Sequence, residues 1–298
     1  MRPRREETIG LLLGLLGVAI FAATLPMTRL AVASVSPQFL AAARAAIAGL
    51  IAIPVLAVRR KAPPWRDFPL LILAALCLAV GFPGFSGFAM RALPAAHAGV
   101  VVGALPLATA AAAALIERER PSPEFWACAI LGASLVVAFA LHHGGAAVQG
   151  ADALLLAAVA SAAVGYTVSA RLSRRMPARD VISWIVVLAL PVSAPLTVLW
   201  RPDDPAGVPA LAWGCLLYLG AMSMYLGFFA WNAGLALGGV ARVSQVQLAQ
   251  PFLTLALAAW LLGERIDGET MICAILVVVL VFVGRRLRVG LARPASAT

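Results

Sequence analysis

The chain repeats itself. Residues 95–131 overlay residues 240–276 at a shift of 145 positions. Pro106 then meets Pro251, Glu119-Arg120 meets Glu264-Arg265, Glu124 meets Glu269, and Cys128-Ala129-Ile130-Leu131 meets Cys273-Ala274-Ile275-Leu276. A weaker register at a shift of 142 lays Arg29-Leu30 over Arg171-Leu172 and sets Tyr166 opposite Thr24. The duplicated stretches are very apolar. Two similar apolar halves can enclose a central site and rock about it, which is how many membrane transporters are built.

Composition bears on the class. The chain is 62% hydrophobic and 12% charged, with a net charge of +10. Soluble proteins carry about 25% charge, and each membrane span needs about 20 apolar residues. The arginines sit in short clusters between apolar runs, the placement that orients membrane helices. A nucleic-acid partner would call for a basic face instead, so none is expected. Cys77, Cys128, Cys215 and Cys273 lie in or beside apolar runs and form no CxxC pair, so neither a metal site nor a disulfide scaffold is indicated. No cofactor is expected.

Apolar runs between polar breaks predict ten helices, at 8–30, 37–58, 68–89, 95–116, 123–141, 151–173, 181–200, 211–233, 240–262 and 269–283. Arg2, Arg4 and Arg5 followed by an apolar run to Ala23 resemble a signal peptide. The stretch has a counterpart near 153–172, so it reads as the first helix of a repeat. With the N-terminus in the cytoplasm, the same side holds Arg59, Arg60, Lys61, Arg66, Arg171, Arg174, Arg175, Arg179, Arg285 and Arg286. The opposite side holds Arg29, Arg91, Arg201 and Arg265. This asymmetry puts both termini inside. Five helices per half is an odd number, so the halves are inverted. The expected fold is an all-α polytopic membrane protein of ten transmembrane helices in two inverted five-helix repeats, residues 1–145 and 146–298.

Leu262-Gly263-Glu264-Arg265, following a helix that carries Pro251, resembles the repeated signature of EamA-type proteins in the drug/metabolite transporter superfamily. Glu117-Arg118-Glu119-Arg120 is its first-half form, without the glycine. Ala-Leu-Pro at 92–94 and Ala-Leu-Gly at 236–238 look like that family's helix ends. The resemblance covers nearly the whole chain. It implies a ten-helix bundle around a cavity lined mainly by helices 1, 3, 4, 6, 8 and 9, with helices 5 and 10 peripheral. Among members, the chain looks closest to amino-acid exporters of the YddG type.

Several helical faces carry candidate substrate contacts. Gly10, Gly14, Gly17, Phe21, Thr24 and Thr28 share one face of helix 1. The glycines suit close packing, and Phe21 and Thr24 are expected to reach the cavity. Helix 3 carries Gly81-Phe82-Pro83-Gly84-Phe85-Ser86-Gly87. Pro83 removes a backbone donor and crowds the preceding turn, so Pro83 and Gly84 read as a hinge and Phe82 and Phe85 as apolar wall. On helix 6, Tyr166 is a candidate. On helix 8, Tyr218, Met222, Tyr225 and Asn232 fall on one face with Trp231 beside it. Such a stripe is either cavity lining or ordinary packing.

Helix 9 is more telling. Ser244, Gln247, Gln250 and Thr254 share a face, whereas the matching face of helix 4 (Gly99, Val102, Leu105, Thr109) is nearly apolar. Glutamine amides in hydrocarbon must find partners. The asymmetry between halves favours substrate contact over packing. Uncharged amides bond both amino and carboxylate groups. Pro106 and Pro251 are expected to kink helices 4 and 9 near the site.

Arg44 is the basic residue inside a span. Intramembrane charge is a functional candidate by default. Its match in the other half is Val186, so we read it as a structural anchor, with a substrate-carboxylate ligand as the alternative. His97 reads as polar surface at a helix end. No Asp or Glu falls in mid-span and no Walker motif is present, so gradient-driven movement is the simplest mechanism.

The expectation is a non-enzymatic exporter of small metabolites, most of all amino acids, in the bacterial inner membrane, working by alternating access. Its partners are the small-molecule substrate and the bilayer. A multidrug or cationic-metabolite exporter is the first alternative, and a membrane enzyme or scaffold the second.

Overall fold

The computed structural model describes residues 2–60, 64–116, 120–143, 146–238, 243–286 and 289–290. Seven helices among them are long and apolar enough to cross a membrane: α1 (Arg5–Val32), α2 (Pro37–Val58), α3 (Trp65–Ala89), α4 (Ala95–Ile116), α6 (Gly150–Ser173), α7 (Ala178–Leu199) and α8 (Ala210–Leu235). Three shorter apolar helices are α5 (Pro123–Phe139), α9 (Val246–Leu262) and α10 (Gly268–Gly284). Large apolar side chains point outward: Leu115 is 71% exposed and Trp260 78%. Such surface is stable against lipid and not against water.

The packing runs in matched pairs. α1 lies along α8 and α3 along α6; α2 pairs with α7, α4 with α9, and α5 with α10. Polar contacts tie helix ends together at two opposite ends of α6. Arg59 bonds Asp180 and Arg175 bonds Asp67 at one end, which we call the arginine-rich end. At the other end His97 meets Asp152 and Glu264 meets the start of α4.

The glycine stripe of α1 serves this packing. A Cβ on Gly234 would sit 2.6 Å from the Gly14 nitrogen and 2.8 Å from the Gly10 carbonyl oxygen. One on Gly17 would sit 3.1 Å from the Trp231 nitrogen. Backbone therefore lies against backbone, as only glycine permits.

The helices around the interior are interrupted, and prolines account for most of the breaks. A helical proline lacks its N–H and crowds the carbonyl four residues back. α1 breaks at Ala23, just before Pro26, and α4 at Ala104, just before Pro106. α9 begins as a 3-10 turn over Ser244–Ala249, ahead of Pro251. In α3 the distortion is a π-helical stretch, Leu76–Gly81, and ordinary helix resumes at Phe82. The irregularity expected at Pro83 and Gly84 thus lies in the turn preceding them. α8 carries a second π-helical stretch, Tyr218–Leu226, with no proline. Leu76 and Tyr218 correspond under the 142-residue register. Pro54, Pro191 and Pro195 sit inside unbroken stretches of α2 and α7.

Candidate functional site

The interrupted helices surround a cavity of about 760 Å³, well within the size range of small-metabolite pockets. It extends from Leu25, Gly99 and Thr254 to Ser173, Arg174 and Ala178. Ser173 and Arg174 are exposed, so the cavity opens at the arginine-rich end. The other end is shut. There Glu264 accepts bonds from the Ala95 and Ala96 N–H groups, both at 2.8 Å, capping α4. His97 bonds Asp152 at 2.7 Å and stacks on Phe139 at 4.8 Å. Deeper in, a Cβ on Gly99 would meet Thr254 at 2.8 Å and one on Gly103 would meet Pro251 at 3.0 Å, so α4 and α9 cross in close contact.

Aromatic side chains form much of the wall. Phe21 packs on Phe228 at 5.0 Å and Tyr166 on Phe228 at 6.2 Å. Thr24, Ser223, Asn232, Gln247 and Gln250 supply polar atoms. Thr24 Oγ1 and Ser223 Oγ lie 2.8 Å apart. Pro26 leaves the Ala22 carbonyl without its helical donor, and the Thr254 hydroxyl donates to that carbonyl at 3.0 Å. The kink in α1 is thereby tied to α9. Arg44, 4% exposed, also lines the cavity.

Phe21, Thr24, Phe82, Tyr166, Trp231, Asn232, Gln247 and Gln250 line the cavity, as do Pro106 and Pro251. Phe85, Tyr218, Met222 and Tyr225 do not, and neither do Pro83 and Gly84. The side chain of Ser244 lies outside the described residues. Tyr218, Met222 and Tyr225 of the α8 stripe turn away for a geometric reason, while Asn232 and Trp231 keep to the cavity. The stripe's spacing assumed α-helical turns, but the π-helical stretch closes i→i+5 bonds and turns the following residues to new directions. Ser223, Met224 and Phe228 consequently face the cavity. Tyr225 is wholly buried and bonds Ser183 at 2.8 Å. Tyr218 donates to the Ile20 carbonyl at 2.8 Å. Phe85 is 38% exposed because α3 meets the cavity only through Leu78 and Phe82.

Two regions were missed. α7 contributes Val181, Ile182, Ile185 and Val186 to the wall, a face no polar residue advertised. Arg44 enters the site from α2, which the resemblance left out of the lining. Its pseudo-equivalent Val186 faces the same cavity, a signal the repeat alignment already held. His97 is also not polar surface: it is 6% exposed and bonded to a buried carboxylate.

Comparison with known proteins assigns the family. The EamA-like transporter family model matches residues 8–140 and 149–284. The chain is similar to "Uncharacterized transporter YdeK" of Bacillus subtilis (strain 168), at 42% identity over 284 residues, 94% of this chain and 98% of the relative. It is also similar to "Uncharacterized transporter YwfM" of the same organism, at 21% identity over 68% of each chain. A solved structure titled only "Crystal structure of protein" shares the fold, with a TM-score of 0.64 at 23% identity over 93% of this chain and 98% of that one. Matched along both halves, the chain belongs to the EamA-like transporter family and is a multi-pass membrane protein.

Proposed function

We propose that the chain exports small zwitterionic metabolites, most of all amino acids, by alternating access across the bacterial inner membrane. The observation that carries this reading is the blind cavity, open at the arginine-rich end and sealed at the other by Glu264 and the His97–Asp152 couple. With basic residues on the cytoplasmic side, the open end faces the cytoplasm, where an exporter loads. Both termini are then cytoplasmic.

Ten spans in two inverted repeats, residues 1–145 and 146–298, complete the reading. The helix pairing supports it: exchanging α1 with α6, α2 with α7, α3 with α8, α4 with α9 and α5 with α10 returns the same principal pairs. α5 and α10 touch each other and contribute nothing to the cavity lining, in keeping with a peripheral position. The aromatic wall would take apolar side chains, while Gln247, Gln250, Asn232 and Thr24 would bond the polar groups common to amino acids. Export of cationic drugs is less well supported, because no Asp or Glu lines the cavity among the described residues.

The test is counterflow. Purified protein in liposomes preloaded with unlabelled amino acid is given radiolabelled methionine, threonine or phenylalanine. Accumulation above empty liposomes, without an imposed proton gradient, is the expected result. Its absence for all three, with counterflow of an organic cation, would replace this reading with the drug-export one. Gln247→Leu or Gln250→Leu is expected to slow transport while the folded yield holds; unchanged rates in both would remove the glutamines from the site.

A further inference from the structure

The cavity holds a buried cation with almost nothing from the protein to bond. Arg44 is 4% exposed, and a guanidinium carries five N–H donors that no ordinary pH removes. Its recorded hydrogen bond is a long one, Nη2 to Ser223 Oγ at 3.5 Å. Its Nε has no partner. No carboxylate lies within ion-pairing distance of it among the described residues. An arginine at this depth is costly to keep in a membrane protein, and a purely structural one is normally satisfied by backbone carbonyls or an acid. Here the side chain lines the cavity, with Nε buried and unbonded and Nη2 on a long bond to a hydroxyl.

The surroundings hold the guanidinium in place. Gly220, in the π-helical stretch of α8, sits against α2: a Cβ there would meet the Ile47 Cβ at 2.8 Å and the Arg44 carbonyl oxygen at 3.0 Å. This close approach delivers Ser223 beside Arg44, and Ser223 is itself bonded to Thr24 at 2.8 Å. Two hydroxyls and a planar cation therefore meet at one point of the wall, with the aromatic faces of Phe21 and Phe228 lining the same cavity. A guanidinium matches the two oxygens of a carboxylate with parallel bonds, and the bonded Ser223–Thr24 pair leaves one hydroxyl hydrogen to donate.

We infer that Arg44, with Ser223 and Thr24, forms a carboxylate subsite, so that the transported species is an organic acid or amino acid that places its carboxylate on Arg44 and its apolar group against the aromatic wall. The inference rests on the transport reading above and defines its substrate class by the carboxylate. It requires the acid group and is indifferent to the amine.

Matched analogues test it on the unmodified protein. Phenylalanine and 3-phenylpropionate carry the carboxylate; phenylalaninamide and phenethylamine lack it. In the counterflow assay the first two are expected to compete with labelled phenylalanine about tenfold more strongly than the last two, the discrimination expected of a bidentate charged contact. In parallel, thermal stabilisation of the detergent-purified protein by 3-phenylpropionate, but not by phenethylamine, is expected. Arg44→Gln should abolish that discrimination, and Arg44→Lys, which keeps the charge, should retain part of it. Stabilisation by the acid without any amino-acid counterflow would sink the amino-acid reading and leave the subsite standing. Counterflow in which phenylalaninamide competes as well as phenylalanine would keep the exporter and overturn the subsite. Equal effects of acid and amine, no effect of either, or unchanged discrimination in a folded Arg44→Gln protein would also overturn it.

Discussion

The two ends of the cavity are built from the same pair of crossing helices and behave differently. At the closed end α4 meets α9 through Gly99 and Gly103, which let Thr254 and Pro251 approach to contact. At the open end the repeat sets Leu248 where the first half has Gly103. Leucine holds helices apart where glycine lets them touch. Charge differs as well. Carboxylates turned inward hold the closed end, with Glu264 on two backbone N–H groups and Asp152 on His97. At the open end the covered carboxylates pair with arginines instead, Asp180 with Arg59 and Asp67 with Arg175, and the arginine of each pair is the more exposed partner. Under the proposed inverted repeat the two ends share one design, and side-chain differences distinguish the shut end from the open one.

That contrast can be broken in graded steps, each read first as a change in thermal unfolding of the purified protein. Asp152→Ala should cost most, on the order of 3 kcal/mol, because it removes the buried carboxylate that His97 bonds. If the midpoint stays where it was, the couple is not what holds the closed end. Glu264→Ala removes two charge-assisted bonds from the start of α4, with an expected loss of about 2 kcal/mol. Glu264→Gln should fall between, since an amide oxygen still caps one N–H. Gly103→Leu installs at the closed crossing the residue its counterpart has at the open one. Overpacking against Pro251 should cost about 1–3 kcal/mol. It should also slow counterflow more than stability alone explains; a normal rate would show that the crossing need not close this tightly. Arg175→Gln, at the open end, should cost about 1 kcal/mol, since the arginine of this pair is half exposed while Asp67 is largely covered.

Apolar periodicity and the internal repeat determined the apolar helices and their order along the chain. These are properties of segments, and a segment's burial need is written in its own residues. The same logic found Phe21, Thr24, Asn232, Gln247 and Gln250, which face the cavity along regular helix or beside a predictable proline break. Only the tertiary structure decided what followed from irregular turns and distant neighbours. The π-helical stretch of α8 exchanged Tyr225 for Ser223 on the wall, because a wider turn changes the direction of every residue beyond it. Whether Arg44 anchors to the protein or faces the cavity depended on Gly220 and Ser223, far along the chain. His97, which sequence alone left as surface, met Asp152 across two helix starts. Spacing along a helix specifies a face; what that face meets is set by the helices that pack against it.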